Sequence, residues 1–367
     1  MRKATSPASD DPGLVAATEP LSRIRMALDE FGYDALLRAV RGSYPLTPFP
    51  PLDEFRHRLT ALPERERAWY QVLLLGMPMR AERIRSAFGE EMTDDLVATG
   101  LLRQRGSRLG TSGLGLVTME GNYAVSSLDR SYVGGLRQRR AWVDVESFLL
   151  AHFLPRTRRA RSSLDLGCGS GLLSILLAST SRSVLAVDVD PFATSVATFN
   201  AALNDLGNLE VRTGDLFEPV GLEAFDLVVV NPPMVPTIPE HASSTAADGG
   251  PDGLALVRRL LDQLGAHLTD EGQAIIYLEG IGDRDRPLVT EALERVSNRD
   301  SFATDVLILS RLPIGRAAAA LARGRGNPLA AYRRLFREHG AERYYKLILR
   351  VRRGRPEVRL LDAGRYA

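Results

Sequence analysis

The chain has 367 residues, 44% of them hydrophobic and 25% charged, so it is long enough for two domains and can bury a sizeable core. Its 47 Lys and Arg residues nearly balance its 45 Asp and Glu residues, and the formal net charge of +2 identifies no partner. Basic clusters at 156–161, 333–337 and 350–355 are predicted to be solvated faces. A single cysteine, Cys168, excludes an internal disulfide and a cysteine-rich zinc site. Without an apolar signal core or a long uncharged apolar run, the sequence predicts a cytoplasmic protein.

Residues 1–135 divide into a leader and a helical domain by composition and periodicity. Residues 1–20 are rich in Ser, Pro, Asp and Gly and are predicted to be a disordered leader. Apolar residues recur at helical spacing from Leu21 to Ala39, and further short helical patterns follow the proline-rich stretch at 44–51. We therefore predict a mainly helical domain over residues 21–135.

The end of this helical domain predicts a winged-helix-like module. Thr93, followed by two aspartates, resembles a helix N-cap, and the alternating stretches at 107–119 and 122–128 predict a hairpin. Winged helices commonly contact nucleic acid, yet the segment in the recognition position is acidic. Its acids are Glu90, Glu91, Asp94 and Asp95. This acidity disfavours contact with phosphate, so the module is predicted to pack against the rest of the protein or to cover a substrate.

From about residue 136 the sequence changes to an alternation of strands and helices. Strand-like runs such as SSLDLG, SVLAVDV and FDLVVVNPP are apolar nearly throughout, and helical stretches separate them. This pattern is typical of a parallel sheet covered by helices on both faces. The run RYYKLILRVRR predicts a closing strand. Residues 136–367 are therefore predicted to form one α/β domain.

A glycine-rich turn lies directly between the first strand and the first helix of this domain, in SSLDLGCGSGLLSILLA. Gly167, Gly169 and Gly171 would let the backbone come close to a ligand at the carboxyl end of the strand. Their G-x-G-x-G spacing differs from the G-x-G-x-x-G of dinucleotide-binding proteins, and Asp165 precedes them. An acid here repels a pyrophosphate and can pair with a cation. The turn therefore favours a positively charged nucleoside cofactor, and a nicotinamide dehydrogenase is a remote alternative.

Two further acids follow the next strands. Asp188 ends the second strand about 20 residues after the turn, where a carboxylate can accept hydrogen bonds from ribose hydroxyls. Asp215, at the end of the third strand, falls near the expected place of an adenine amino group. Each acid alone can be a helix cap or a turn residue. With Asp165 at the preceding strand end, the three together predict a nucleoside site.

These motifs resemble a known family. Residues from about 140 to 282 are similar to the seven-stranded, Rossmann-like class of S-adenosylmethionine-dependent methyltransferases. Within that class, NPPM at 231–234 resembles the Asn-Pro-Pro-aromatic tetrad of the release-factor glutamine, ribosomal-RNA guanine N2 and DNA adenine methyltransferases. The stretch DGGPDGLALVRRLL at 248–261 further resembles the release-factor enzymes and their small-domain relatives. The resemblance implies a methyltransferase catalytic domain at 136–367 with S-adenosylmethionine as cofactor.

The resemblance also implies roles for individual residues. The implied cofactor-binding residues are Asp165, Gly167, Gly169, Gly171, Asp188, Asp215, Leu216 and Asn231. Asp165 would lie near the charged amino group of the cofactor, and Asp188 would lie near its ribose. Asp215 would meet the adenine, whose ring Leu216 would flank. In the family a segment before the first strand covers the cofactor; here DVESFLL occupies that place, with Glu146 and Ser147 as candidates.

The Asn-Pro-Pro sequence supplies the implied catalytic groups. The side-chain oxygen of Asn231 and the carbonyl of Pro232 form a pair of acceptors that can hold two N–H bonds of an amide or amine. Each proline fixes its own φ and restricts the residue before it, so the strand end is stiff. Positioning of this kind can lower a reaction barrier without a strong base. The bland alternative is a proline turn with a capping asparagine.

Met234 departs from the family, which usually has an aromatic residue at this position. Methionine offers a flexible, polarizable contact without a ring face, which disfavours a nucleobase or a glutamine amide and suits a non-planar amine or a metabolite. The substrate-side candidates are Met234, Tyr132, Trp142 and Glu146. Tyr277 is a further aromatic candidate for closing the pocket. For each aromatic candidate, Tyr132, Trp142 and Tyr277, a position in the hydrophobic core is at least as strong an interpretation.

Several functions remain open on the sequence alone. The first is N-methylation of an amine or amide on a small molecule or a protein side chain. The alternatives within the fold are an RNA methyltransferase whose N-terminal module grips the substrate, and an enzyme of specialised metabolism that rearranges S-adenosylmethionine, for example by intramolecular cyclisation. A third class is a catalytically silent partner-binding protein. Nucleic acid is the less favoured partner, and neither a membrane nor a metal is expected.

Overall fold

The computed structural model describes residues 13–41, 57–111, 113–127, 141–143, 145–156, 159–238, 248–322 and 328–363. Contacts divide the chain into two compact units. The first comprises Met1–Leu149, Cys168–Ser179 and Ala186–Gly214, and the second comprises Leu150–Gly167, Thr180–Leu185 and Asp215–Ala367. The boundary predicted between residues 135 and 136 lies outside the described residues, so the predicted domain division stays a prediction.

The N-terminal part of the first unit is mainly helical. Its helices are α1 Thr18–Phe31, α2 Tyr33–Arg41, α3 Glu64–Trp69, α4 Ala81–Phe88 and α5 Glu90–Ala98, and a π-helical turn at Tyr70–Leu74 extends α3. α1 begins inside the segment predicted as a leader, because its apolar stripe of Leu21, Ile24 and Leu28 is buried. It ends at Gly32, whose φ of 70° is left-handed and suits glycine.

Aromatic side chains fill the core of this helical part. Phe31 stacks on Trp69 with ring centroids 4.2 Å apart, and Tyr33 stacks on Tyr70 at 4.8 Å. The hydroxyl of Tyr70 donates to the backbone carbonyl of Tyr33 at 2.9 Å, so the buried phenol has a hydrogen-bond partner. Helices predicted from the sequence pattern therefore pack around a cluster of aromatic side chains.

One detail of the predicted winged-helix-like module is wrong, and another is incomplete. Thr93 is not an N-cap: α5 begins at Glu90, and the Thr93 hydroxyl donates to the Gly89 carbonyl within the helix. The predicted hairpin is confirmed for the stretch at 122–128 and for the later half of 107–119, but the earlier half, before a turn with Gly113 at φ 93°, belongs to a separate sheet, so the two stretches form parts of two structures. The first is a three-stranded sheet of order β1-β3-β2, formed by β1 Met79–Arg80, β2 Arg103–Arg105 and β3 Arg108–Gly110. The second is the hairpin of β4 Leu114–Met119 and β5 Asn122–Ser127.

The rest of the chain forms a large sheet with helices between its strands. The strands are β6 Ala160–Leu166, β7 Ser181–Asp188, β8 Leu209–Thr213, β9 Phe225–Val230, β10 Leu268–Gly282, β11 Phe302–Pro313, β12 Arg343–Arg353 and β13 Glu357–Asp362. The helices are α6 Val145–His152, α7 Leu172–Thr180, α8 Pro191–Leu203, α9 Ala255–Leu264, α10 Val289–Asp300, α11 Ile314–Ala322 and α12 Leu329–Glu338. The strand order is β13-β11-β12-β10-β9-β6-β7-β8, which confirms the predicted α/β class. None of the helices in the described ranges is both long and apolar enough to cross a bilayer.

The sheet differs from the predicted one in two respects. It is mixed: β9 runs parallel to β6 and β10, whereas β12 runs antiparallel to both β10 and β11. It also has an eighth strand, β13, which pairs parallel with β11 at the edge. β13 is short and mostly exposed, so it lacks the apolar pattern by which a strand is recognised. The predicted closing strand RYYKLILRVRR is confirmed as β12.

Candidate active site

The ends of β6 and β9 bring the glycine turn next to the Asn-Pro-Pro segment. Leu166 and Val230 are register partners on these neighbouring parallel strands, and Gly167 and Asn231 follow them directly. Adjacent strands lie about 4.8 Å apart, so the glycine and the asparagine leave the sheet side by side. Asp165 lies within the last paired stretch of β6, and only 1% of it is exposed. Three of the predicted site residues therefore meet at one edge of the sheet.

The glycine turn has the left-handed backbone that its sequence predicts. Gly167, Gly169 and Gly171 have φ values of 72°, 54° and 76°, a region that other residues rarely adopt. At Gly171 an added Cβ would lie 3.0 Å from the Cβ of Ala197, so the turn passes close to α8. The turn therefore requires glycine both for its conformation and for its packing.

Asp188, the last residue of β7, is bound by the turn itself. The backbone N–H of Gly169 donates to its Oδ2 at 2.9 Å, and the N–H of Asp190 donates to its Oδ1 at 2.9 Å. Burial raises the pKa of Asp188, and these two N–H groups act in the opposite direction. The Val189 N–H also acts on this carboxylate, whose two oxygens have four lone pairs, so acceptor capacity remains for a further donor. Asp188 thus both fixes the turn and keeps acceptor capacity.

Ser170 is a polar residue of the turn that the sequence analysis missed. Its Oγ is buried and has no hydrogen-bond partner among the described residues. Its backbone carbonyl accepts from the Nδ2 of Asn200, in α8, at 2.8 Å. The sequence feature that could have identified Ser170 is its place between two glycines of the turn, where a hydroxyl can donate to a ligand carboxylate.

The residues predicted to cover the cofactor are described in part. The carbonyl oxygen of Trp142 lies 3.5 Å from the position of a Cβ added at Gly169, so the Trp142 backbone borders the turn. Glu146 and Ser147 lie in the first turn of α6, and Ser147 is buried. Tyr132 lies outside the described residues. The substrate-side roles of these residues stay predictions.

Asp215 and Leu216 occupy a tight turn after β8. The Asp215 Oδ2 accepts from the Nη2 of Arg259, in α9, at 2.6 Å, a partner that the sequence did not reveal. Leu216 is buried and has a φ of 50°, which is uncommon for a branched side chain. Their predicted contacts with adenine stay predictions.

Asn231 carries the most informative atom of the Asn-Pro-Pro segment. Its Oδ1 is buried and has no hydrogen-bond partner within the described parts of the chain. A buried acceptor without a donor costs about 1–3 kcal/mol, so such atoms are uncommon in native proteins. Pro232 after it is buried and has no N–H to offer. The segment thus presents an acceptor in need of an N–H donor.

Met234 is engaged by the neighbouring strand. The backbone N–H of Glu279, in β10, donates to its Sδ at 2.8 Å. The Glu279 carboxylate in turn accepts from the Tyr277 hydroxyl at 2.6 Å and pairs with the Nζ of Lys346 at 2.5 Å. Tyr277 itself is fully buried and lies in the core of the sheet. Met234 therefore ties the segment to β10 through its sulfur.

The glycine-rich stretch at 248–253 packs against the backbone that follows Asn231. The N–H of Gly249 donates to the Val235 carbonyl at 2.9 Å, and the N–H of Thr237 donates to the Gly250 carbonyl at 2.8 Å. A Cβ added at Gly253 would lie 2.5 Å from the Met234 carbonyl oxygen. The sequence analysis used this stretch only for its resemblance and missed that it holds the Asn-Pro-Pro segment in place.

Comparison with known proteins shows what this region is similar to. Residues 139–279 match the model of the methyltransferase small domain. A ribosomal protein uL3 glutamine methyltransferase of Bradyrhizobium diazoefficiens is 36% identical over 174 residues, which cover 44% of this chain and 52% of the relative. A release factor glutamine methyltransferase of Geobacter sulfurreducens is 34% identical over 146 residues, which cover 37% of this chain and 51% of the relative.

The chain spans about half the length of these curated relatives. Among solved structures, a ribosomal protein L11 methylase of Lactobacillus delbrueckii subsp. bulgaricus is 21% identical with a TM-score of 0.34, and the match covers 57% of this chain and 77% of that one. The resemblance predicted from the glycine turn and the Asn-Pro-Pro motif is confirmed by the family match and by the curated relatives. Residues 139–279 of this chain are similar to the methyltransferase small domain and to the glutamine methyltransferases named above.

Proposed function

We propose that this protein is an S-adenosylmethionine-dependent methyltransferase that methylates the side-chain amide nitrogen of a glutamine in a protein substrate. The observation that carries the proposal is the buried, unpartnered Oδ1 of Asn231 at the tip of β9. A primary amide brings two N–H donors, and the Asn231 oxygen can accept one of them. The names of the curated relatives, which act on glutamines of a ribosomal protein and of release factors, support the choice of substrate.

The chemistry of the glycine turn fits this cofactor. When bound, S-adenosylmethionine supplies a methyl group carried on a positively charged sulfur. The left-handed glycines allow close approach of the backbone, and the Ser170 hydroxyl can donate to a carboxylate. Asp188 retains acceptor capacity for ribose hydroxyls. Asp165 places a carboxylate one strand end away from Asn231, where an ammonium group can be paired.

Asn231 and Pro232 hold and orient the target nitrogen in this proposal. An amide nitrogen is a weak nucleophile because its lone pair is delocalised into the carbonyl. Acceptors on both N–H bonds, the Asn231 Oδ1 and the Pro232 carbonyl, favour a localised lone pair directed at the electrophile. In the transfer the nitrogen would bond to the methyl carbon as that carbon leaves the sulfur, which would become a neutral thioether, and the nitrogen would release one proton to water, so that the neutral amide is restored. Rigid placement by the two prolines supplies much of the rate, since positioning can contribute up to about 7–11 kcal/mol.

The missing ring face of Met234, which on the sequence alone counts against both a nucleobase and a glutamine amide, counts more strongly against the purine base. Its sulfur is engaged by the Glu279 N–H, so the residue offers a small apolar contact rather than an aromatic platform. A nucleobase gains about 1–3 kcal/mol from stacking on an aromatic ring, and that contribution is absent here. A glutamine side chain has only one small planar group and depends less on such a platform. A substrate among the proteins of translation would place the protein in the cytoplasm.

The test uses methyl-labelled cofactor with the release factors and the ribosomal protein uL3 of the same organism. Mass spectrometry of tryptic peptides should find the label on a glutamine. Asn231→Ala should lower turnover by about 100-fold or more, because removal of one oriented polar group of a catalytic site has this effect. Cofactor affinity measured by calorimetry should change little. Asn298→Ala, on the exposed face of α10, is the matched control and should retain wild-type turnover.

Each other outcome refutes the proposal in a recognisable way. Label in RNA or in a small molecule, with none on protein, assigns a different acceptor. Cofactor consumed without any methylated product indicates a rearrangement of the cofactor itself. If calorimetry shows no heat with S-adenosylmethionine or its demethylated product, the assignment of the cofactor is wrong. If Asn231→Ala keeps full turnover, the assignment of a catalytic role to this residue is wrong.

A further inference from the structure

The three-stranded sheet of the first unit carries a row of arginines. Arg80 of β1 and Arg105 of β2 are both register partners of Arg108 in the central strand β3. Partners in antiparallel strands point to the same face, with Cα atoms about 4.5–5.5 Å apart. All three residues are exposed, whereas Leu109 beside Arg108 is buried. The row is therefore one solvent-facing line of positive charge across the sheet.

None of these three arginines has an ion pair or a side-chain hydrogen bond with another described residue. The acids of α5 pair with other arginines: Glu90 and Asp94 share Arg85, and Glu91 and Asp95 share Arg23. None of these acids is paired with an arginine of the row, and the acidity that disfavours phosphate contact lies on α5 and not on the sheet that carries the row. Like charges placed directly opposite each other across strands are destabilising, so the row has no stabilising role within the fold.

The row borders an open cavity of about 610 Å³. The lining residues are Pro78, Met79, Arg80, Glu82, Arg83, Ser86 and Arg108. Arg83 is paired with Glu64 at 2.7 Å, which leaves Arg80 and Arg108 as the cations available to a ligand, with Glu82 as the acid. The cavity therefore adds a concave wall beside one end of the line of charge.

We propose that the arginine row, defined as Arg80, Arg108 and Arg105, binds the phosphate backbone of an RNA strand. A planar guanidinium matches a phosphate with two parallel hydrogen bonds, and an evenly spaced line of one sign complements a chain of regularly repeated anions. An acidic peptide fits less well because its carboxylates lack that regular spacing. The proposal goes beyond methyl transfer and does not depend on it, since RNA binding is measured without cofactor.

The test is fluorescence anisotropy of a labelled single-stranded oligouridine with the full chain at several salt concentrations. The triple variant Arg80→Gln/Arg105→Gln/Arg108→Gln should bind about tenfold more weakly or worse. Its plot of log affinity against log salt should be shallower by about 2, because three lost phosphate contacts each remove about 0.7 from the slope for a single strand. Circular dichroism and the unfolding temperature should match the wild type, since the replaced side chains have no ion pair or side-chain hydrogen bond within the described ranges.

The control has the same change in net charge at another surface. Arg316→Gln/Arg333→Gln/Arg337→Gln removes three exposed arginines of α11 and α12 and should leave RNA affinity unchanged. Equal binding by wild type and row variant overturns the proposal. So does an equal loss in the control triple, because the effect would then be one of net charge alone. Polyglutamate that binds the row as tightly as RNA does, with the same salt slope, would assign an acidic protein instead.

Discussion

The turn after β6 and the segment after β9 are held in place by different means. Side chains hold the turn after β6: Asp188 accepts from the backbone N–H of Gly169, and Asn200 donates to the carbonyl of Ser170. Backbone contacts hold the segment after β9, because the glycines at 248–253 pack against the chain from Met234 onward. One loop is fixed by polar side chains and the other by close packing of main chain.

The difference bears on which groups remain available for chemistry. In the glycine turn both oxygens of Asp188 already accept a backbone N–H, so the acid contributes structure before it contributes binding. In the Asn-Pro-Pro segment the backbone contacts supply the rigidity, and the Oδ1 of Asn231 makes no hydrogen bond to the described residues. An amide whose position is set by backbone contacts keeps its oxygen available as an acceptor, as the role proposed for Asn231 requires.

The largest effect is expected from a side chain placed where main chain meets main chain. Gly253→Ala would put a Cβ 2.5 Å from the Met234 carbonyl oxygen, at a residue with a φ of 82°. Collision and left-handed strain together should lower the free energy of unfolding by about 2–5 kcal/mol. Turnover should fall with it, because the Asn-Pro-Pro segment would have to move. Denaturant titration and methyl transfer measure the two effects.

Gly340→Ala separates strain from collision. Gly340 also has a positive φ, of 60°, but nothing lies within 4 Å of its added Cβ. Its cost should be limited to about 1–2 kcal/mol, with turnover unchanged. If the two glycine variants behave alike, the backbone contact at Met234 is not what holds the segment.

An effect on stability somewhat smaller than that of Gly253→Ala is expected at Asn200, the side chain that supports the glycine turn. Asn200 accepts from the Val125 N–H at 2.8 Å and donates to the Val125 carbonyl at 2.9 Å, in addition to its bond to Ser170. Asn200→Ala would leave these buried backbone groups without partners and should cost about 2–4 kcal/mol in denaturant unfolding. A cost below about 1 kcal/mol, no larger than that of a surface asparagine, would mean that water replaces the amide.

The sequence allowed the prediction of features that rest on local pattern. The apolar runs of β6 and β9 predict buried strands, and glycines at a strand end predict a left-handed turn, because both follow from the chemistry of neighbouring residues. The place of Asn231 beside the glycine turn was predictable because it directly follows a buried strand, and its catalytic role stays a prediction. These predictions needed no knowledge of distant partners.

The features that escaped prediction depend on residues far apart in the chain. Asn200 lies inside a helical pattern and looks like a surface amide until β5 is placed beside it. The pairing of Asp215 with Arg259 and the approach of Gly253 to Met234 likewise join separate elements. The arginine row arises from the register of three strands, which periodicity alone does not fix.

The smallest effect on stability is expected at Asp188, where the two roles of the acid can be separated by pH. Burial raises its pKa above the ordinary 3.8, so the folded protein holds this proton more tightly than the unfolded chain. The stabilising contribution is complete below pH 3.8 and is lost as the pH rises through the raised pKa. Asp188→Asn removes this titration, so the unfolding free energy of the wild type should fall relative to that of the variant as the pH rises through that interval.

Cofactor binding by the same variant shows whether Asp188 serves the turn alone. An asparagine keeps one oxygen acceptor but presents an NH2 group to the other backbone N–H, so at neutral pH the loss of a hydrogen bond offsets the relief of a buried charge. Stability should therefore change by about 1 kcal/mol or less. If the acid also accepts from ribose hydroxyls, calorimetry should show S-adenosylmethionine binding about tenfold more weakly, because hydrogen bonds to a charged group contribute about 1.5–3 kcal/mol. Asp205→Asn, at an exposed position after α8, should change neither quantity. An unchanged cofactor affinity in Asp188→Asn would leave Asp188 as a purely structural partner of Gly169 and would make the contrast with Asn231 complete.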